Sequence, residues 1–571
     1  MPALLNGPGP RESGSKLPHS KRFACGAPQA LRWPRLTTVA STGRAVGSPP
    51  LRRHAAANPL LPLALLAVWP WLCHGSGFAF FEPVQPPRPF QVMVHRGEAR
   101  QAPENTRPAL ERCIEDGLEW AEVDLHLTQD GQHILSHDAS IADAAGRSWQ
   151  IRDHPLDALR QLDVGSRFAA RFAGTRLLSL PECLALCSNR LNLYLDCKAV
   201  DAEQLAREVL AAGMERQVVV YAGLEQLRQV RLASSGKVAT MAKWRPGMAL
   251  PDWAVTNGLA AVEIDAADLT APVAQAFHRA SIKVQAKVLD AWDAPEFWDR
   301  VIAARADWLQ TDLPEELLAH ALWQRLPARP VRFSLHRGAS RYAPENTLPA
   351  FAKAIRMGAD FVEFDVHTTR DGAFFLMHDS ELGRTTDGTG PLAQATAEAV
   401  RQLSAGVKFG RPYAAVRVPS LDEFLGVVAG KVDLYFDAKA IAPAALAAAL
   451  ERHNVVARTI VYGGPGYLAQ LKAVNPRIRL LPPLHRPEDL DALAAQLQPY
   501  AVDASWDILS RELIARCHAK GVKVFSDALG KHEHIEDYRR AMDWGIDLIQ
   551  TDHPLRLLRA IELSAPSPRQ R

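Results

Sequence analysis

The chain has 571 residues, 66 Lys and Arg against 63 Asp and Glu, and is 47% hydrophobic and 23% charged. That balance is ordinary for a soluble globular protein, and the length allows two large domains with additional segments. Residues 1–90 hold ten Lys and Arg but two acids, so the remaining body is mildly acidic and lacks the basic character of a nucleic-acid binder.

Residues 1–58 are rich in Pro, Gly, Ser, Ala and Arg without sustained periodicity, and read as a disordered basic tail. Arg52 and Arg53 then precede an apolar run from Pro59 to Cys73, followed by Gly75, Ser76, Gly77 and Ala79. Basic flank, short apolar core and small-residue exit are the layout of a secretory signal. This predicts an exported protein, periplasmic or secreted, with the segment at about 59–79 as the signal. The run is short of the roughly 20 apolar residues of a membrane span, but lies far from Met1. A start codon assigned too early explains that distance. The other reading is a single anchor that associates the protein with a membrane. Residues 80–90 form a Pro-rich leader. The seven cysteines include no CxxC pair, and Cys183 and Cys187, four apart in an apolar helical pattern, read as core residues.

From residue 95 onward the chain repeats itself. HRGEARQAPENT at His95 returns as HRGASRYAPENT at His336, an offset of 241. EVDLHLTQDG from Glu122 matches EFDVHTTRDG from Glu363, LYLDCKAV from Leu193 matches LYFDAKAI from Leu434, and LQTDLP matches IQTDHP near the end. A repeat of about 240 residues exceeds any solenoid unit and fits an α/β barrel. The predicted fold is therefore α/β, two tandem (β/α)8 TIM-type barrels at 91–318 and 331–560, joined by a linker near Leu317–Arg332.

In the second copy the predicted strands are VRFSLHRG, DFVEFDVHT, KVDLYFDAK, ARTIVYGG, RIRLLPPL, YAVDAS, VKVFSDAL and DLIQTD. Helical sequence runs from Asn346 to Met357 and through APAALAAALERH. Alternating strands and helices imply parallel βα units. Asp371-Gly372 falls between Asp365 and His378, a tight-turn signal. That segment is either a hairpin return or a regular crossover.

Polar residues gather at strand C-terminal ends, the catalytic face of such barrels. Glu363 and Asp365, two apart in an otherwise apolar strand, share a face. Two converging carboxylates call for a cation, and hard divalent ions prefer oxygen ligands. Asp437 is positioned to complete that site, and Lys439 to balance phosphate charge. Copy one repeats all four as Glu122, Asp124, Asp196 and Lys198. His336 ends a strand before Arg337 and Gly338; His378 precedes Asp379, a candidate orienting acceptor. Two imidazoles suit general acid and base work near neutral pH, and the Arg337 fork suits a phosphate. His95, Arg96 and His137 are their copy-one counterparts. His126 and His367 also repeat, and read as secondary or structural.

The set HRG, PENT, ExD, HD, DxK and TDxP, present in both halves, resembles the glycerophosphodiester phosphodiesterase family, related in design to phosphatidylinositol-specific phospholipase C. The resemblance implies a TIM barrel with Ca²⁺ or Mg²⁺ on the three acids and the histidine pair as acid and base. It implies a small-molecule glycerophosphodiester as substrate, giving glycerol 3-phosphate and an alcohol. Two departures stand out. Asp196 and Asp437 occupy a position that is Glu in many members, so the ion must sit closer or use a water. After His378-Asp379 comes ELGRTTDGTG, as the family expects, but after His137-Asp138 comes SIADAAGRSWQ. Copy one is therefore expected to prefer another alcohol or to turn over slowly. The alternative readings are a phospholipase-D-like or phosphoinositide-type lipid diesterase, one barrel acting as a non-catalytic binding module, and an envelope adhesion or wall-remodelling protein.

Overall fold

The computed structural model describes residues 79–82, 84, 88–326 and 328–565. The tail and the apolar run read as signal or anchor lie outside the described residues. Among the described residues no helix is long and apolar enough to cross a membrane.

Eight parallel strands build barrel one: Gln91–Val94, Trp120–Leu127, Asn192–Cys197, Val218–Tyr221, Ala239–Lys243, Ala261–Asp265, Lys283–Lys287 and Trp308–Thr311. Each pairs with the next, and the last pairs with the first to close the ring. Barrel two repeats this with Arg332–Leu335, Phe361–Thr368, Asp433–Asp437, Thr459–Tyr462, Arg479–Leu481 continued by Pro483–Leu484, Ala501–Ala504, Lys523–Asp527 and Leu548–Thr551. Its fifth strand is split because proline lacks the N–H that a ladder needs. The upstream piece pairs Leu481 with Tyr462, and the downstream piece pairs Pro483 with Asp503.

The segment before His378 is a hairpin. Phe374–Leu376 pairs antiparallel with Phe361–Thr368, and Phe375 sits opposite His367. Barrel one does the same with His133–Leu135. The expected linker is mostly helix. Pro314–Arg325 is the last helix of barrel one, held there by buried Leu317, Ala319 and Leu322, so the connection is shorter than Leu317–Arg332. Cys183 and Cys187 are buried in the helix Leu180–Cys187, as core residues.

Strand alternation explains where the sites form. Inward positions i and i+2 stack up the barrel axis. At the floor of barrel two, Phe361, Tyr435, Ala501 and Phe525 pack together with Leu548. Two residues further along the same strands stand Glu363, Asp437, Asp503 and Asp527. Each strand thus begins apolar and ends acidic on one face. Barrel one has Trp120, Tyr194, Ala261 and Trp308 at its floor, with Phe80 of the leader edge-on to Trp120 at 5.3 Å and to Trp308 at 5.0 Å.

The two barrels share a polar interface. Helix Pro314–Arg325 packs against Leu348–Arg356 and Pro554–Ser564. Lys353 is buried and binds Glu315, and Glu316 at 2.8 Å, while Arg356 reaches Glu316 at 2.6 Å. Nearby, Arg341 and the Tyr342 hydroxyl both donate to Asp116 at 2.7 Å.

Candidate active sites

His336 and Arg337 follow the first strand of barrel two. Arg337 adopts φ 55° and Gly338 φ 79°. That left-handed step turns the Arg337 N–H onto Glu363 Oε2 at 2.7 Å. Gly338 lies so close to the next helix that an added Cβ would sit 2.9 Å from Ala350 Cβ, so glycine is required there. Asn346, also left-handed at φ 55°, clamps Asp365 twice. Its Nδ2 donates to Asp365 Oδ2 at 2.9 Å and its Oδ1 accepts from the Asp365 N–H at 3.2 Å.

Glu363, Asp365 and Asp437 each offer a carboxylate oxygen, and these atoms lie within 4.8 Å of one another. Burial, then the charges of Asp365 and Asp437, push the Glu363 pKa well above the usual carboxylate range. Burial also raises that of Asp437. Lys439 answers part of this charge, 2.5 Å from Asp437 and 3.5 Å from Asp365 Oδ1. Asp365 Oδ1 is buried without a hydrogen-bond partner. A crowded, under-compensated oxygen cluster of this kind fits a hard divalent cation.

The histidines are held from behind. His336 Nδ1 lies 2.9 Å from Asp552 Oδ1, which also accepts from Ser340 Oγ at 3.1 Å. Burial disfavours the His336 imidazolium, but the Asp552 hydrogen bond and charge outweigh it, so the pKa ends above the ordinary value. His378 Nδ1 lies 2.7 Å from Asp379 Oδ1, the expected acceptor. The Met377 N–H bonds the Asp365 carbonyl at 3.1 Å, which fixes His378 beside the acids. His367 bonds the His378 carbonyl at 3.0 Å, the supporting role read for it. Arg337 stands at the site, but its guanidinium is engaged by Glu345 at 3.0 Å and faces Asp365 at 3.6 Å.

Barrel one reproduces the arrangement. Glu122, Asp124 and Asp196 cluster within the same 4.8 Å. The Arg96 N–H donates to Glu122 at 2.8 Å, and Asn105 clamps Asp124 at 2.8 Å. Lys198 lies 2.6 Å from Asp196 and 3.1 Å from Asp124. His95 meets Asp312 at 2.9 Å, His137 meets Asp138 at 2.9 Å, and His126 bonds the His137 carbonyl at 3.2 Å.

Barrel two has a brace that barrel one lacks among the described residues. Arg384 binds Asp379 at 2.5 Å and both oxygens of Glu345 at 2.7 Å. The Arg384 hydrogen bond holds the Asp379 carboxyl far below its usual range. In barrel one the equivalent stretch is a hairpin, Ser140–Ala142 with Ser148–Gln150, whose Arg147 folds back onto Asp143 at 2.7 Å. The Asp138 side chain is 79% exposed against 30% for Asp379.

Asp552, Asn346, Glu345 and Arg384, and likewise Asp503 and Asp527, have no role in the sequence reading above. Burial raises the pKa of Asp527 to about 6 and that of Asp503 well above the usual range. PENT and TDxP repeat in both copies, a signal for Glu345, Asn346 and Asp552.

Two closed βα barrels, each with paired histidines and a carboxylate triad at the C-terminal rim, define a tandem (β/α)8 barrel enzyme. The glycerophosphoryl diester phosphodiesterase family matches residues 95–316 and 336–556. A glycerophosphodiester phosphodiesterase from Caldanaerobacter subterraneus subsp. tengcongensis is 30% identical over 242 residues, covering 40% of this chain and 96% of that protein. One from Bacillus subtilis is 28% identical over 247 residues, covering 38% and 82%. The crystal structure of a glycerophosphodiester phosphodiesterase from Agrobacterium tumefaciens is 26% identical, covers 40% of this chain and 99% of that one, and gives a TM-score of 0.38. The chain belongs to the glycerophosphoryl diester phosphodiesterase family, in two tandem copies, and is a phosphodiesterase of that class.

Proposed function

We propose that each barrel hydrolyses a glycerophosphodiester to glycerol 3-phosphate and an alcohol, with a divalent cation, Ca²⁺ or Mg²⁺, on its carboxylate triad. The observation that carries this is the under-compensated triad beside two braced imidazoles, built twice from the same motifs. Glu363, Asp365 and Asp437 would hold the ion in barrel two, and Glu122, Asp124 and Asp196 in barrel one. When bound it would supply Lewis-acid stabilisation of the phosphoryl oxygens.

The proton work falls to the histidines. His336 and His378 each have Nδ1 engaged by an aspartate, which leaves Nε2 to exchange a proton with substrate. One imidazole takes the proton of the attacking water, or first that of the adjacent glycerol hydroxyl, in which case water opens the resulting cyclic phosphate in a second step to give glycerol 3-phosphate. The other protonates the alcohol oxygen as its bond to phosphorus breaks. Lys439 and Arg337 would steady phosphoryl charge, with Lys198 and Arg96 in barrel one. We further propose export of the protein, on the basic flank and apolar run before residue 80.

The test is a metal-titrated assay of the full chain on glycerophosphocholine and on a lysophospholipid. Chelation is expected to stop turnover, Ca²⁺ or Mg²⁺ to restore it, and the water-soluble diester to be the better substrate. Unchanged rates in excess EDTA would overturn the cation assignment; preference for the lipid would overturn the substrate.

A further inference from the structure

The mouth of barrel two is not built from barrel two alone. A cavity of about 420 Å³ there is lined by Ser340, Glu345, Arg384, Lys408 and Phe409 of barrel two and by Arg171 of barrel one. Two of these residues tie the cavity to the chemistry. Ser340 donates to the Asp552 oxygen that holds His336, and Glu345 holds Arg337.

Arg171 arrives on a loop of barrel one that is pinned across the interface. The Arg411 N–H donates to the Phe168 carbonyl at 2.7 Å. The Arg171 guanidinium lies 4.8 Å from the Phe172 ring centre and 4.6 Å from that of Phe409. Its N–H groups donate to the carbonyls of Lys408 and Gln101, each at 3.2 Å. Lys408 Nζ in turn donates to the Gly383 carbonyl.

These partners are all neutral. Arg384 is saturated by Asp379 and Glu345, but among the described residues no carboxylate pairs with Arg171 or Lys408. Burial in the cleft, then the charge of Arg112, lowers the Arg171 pKa to about 10. An anionic group entering here gains charge-assisted hydrogen bonds. A quaternary ammonium would be repelled, and would find the Phe172 and Phe409 faces already taken by a guanidinium. Arg171 is not a by-product of duplication. With the offset of 241, the counterpart of Arg171 is Pro412.

We propose that Arg171 of barrel one, together with Lys408, is a specificity residue of barrel two that receives a carboxylate or phosphate carried by the leaving alcohol. The inference rests on the diesterase reading above. The test uses the full chain with His95→Ala and His137→Ala, so that only barrel two is assayed. Three diesters are compared: glycerophosphoglycolate, whose alcohol bears a carboxylate, neutral glycerophosphoglycerol, and cationic glycerophosphocholine. The expected order of kcat/KM is glycolate, glycerol, choline. Arg171→Gln and Lys408→Gln should each lower the glycolate-to-glycerol ratio about tenfold. A ratio unaltered in both variants, or a choline preference in the parent, overturns the proposal. Turnover of none of the three would sink the diesterase reading instead. Calorimetric binding of glycerophosphoglycolate would then decide the cavity, with weaker binding in Arg171→Gln expected and equal binding fatal.

Discussion

At His336, burial and a carboxylate pull in opposite directions, and the carboxylate wins. The ring is largely enclosed, which favours neutral imidazole, yet Asp552 at 2.9 Å raises its pKa above the ordinary value. Asp552 is itself placed by Glu533, which accepts the Asp552 N–H at 2.6 Å. Replacing Asp552 with Asn removes the charge and keeps the shape. The limb of the pH–rate profile that reports His336 should then move to lower pH, whether the ring serves as acid or as base. The rate at the optimum should fall by about 10²-fold or more, the lower end of what positioned proton transfer contributes. The profile of the full chain with barrel one silenced checks this, and an unmoved limb would remove His336 from the proton path.

At the level of the element, the loop after the second strand separates two sites whose chemical residues are the same. In barrel two, Arg384 closes a chain from His378 through Asp379 and Glu345 to Arg337. In barrel one, Glu104 pairs among the described residues with Arg96 alone, and its side chain is 47% exposed, against 20% for Glu345. Supporting partners of site residues commonly carry a factor of about 10 to 100. Arg384→Ala should therefore slow barrel two about tenfold or more, and barrel one, assayed with His336→Ala and His378→Ala, should be slower than intact barrel two by a similar factor. Equal rates for the two barrels would show the brace to be without effect. The sequence made much of this legible. An offset of 241 disclosed the duplication, and the i, i+2 carboxylates disclosed the triad. The divergence after His137 was visible as well, but not its consequence. Arg384 acts on residues 5 and 39 positions away, through a loop path that no periodicity encodes. Asp503 and Asp527 were hidden for another reason: short strands ending in Asp look like ordinary strand exits until the ring closes and brings them inward.

For the whole molecule, the two barrels are joined through buried charge. Glu98, Arg112 and Asp116 of barrel one meet Arg341 and Tyr342 of barrel two; Arg112 binds Glu98 at 2.6 Å and the Arg341 carbonyl at 2.9 Å. The duplicated positions of Glu98 and Asp116 are Ala339 and Met357, so the repeat gave no hint of the cluster. Burial, then the charge of Asp116, raises the Glu98 pKa from 4.5 to about 8, while Arg341 and its neighbours keep Asp116 below its usual value. The folded chain therefore holds a proton on Glu98 that the unfolded chain releases. That contribution is complete below pH 4.5 and is lost as the pH rises through about 8. Asp116 works the other way, and its contribution fades only as the pH falls through the acid range. Between pH 5 and 8 the Glu98 effect outweighs that of Asp116 and adds to those of the other raised carboxyls, at no more than about 1.4 kcal/mol per pH unit for its one proton. Glu98→Gln keeps the shape and cannot ionise, so its stability should fall less than that of the parent chain across this window. Urea denaturation of both at pH 5, 6.5 and 8 measures the difference. Parallel pH dependence in the two proteins would mean that the Glu98 proton is not part of what holds the barrels together.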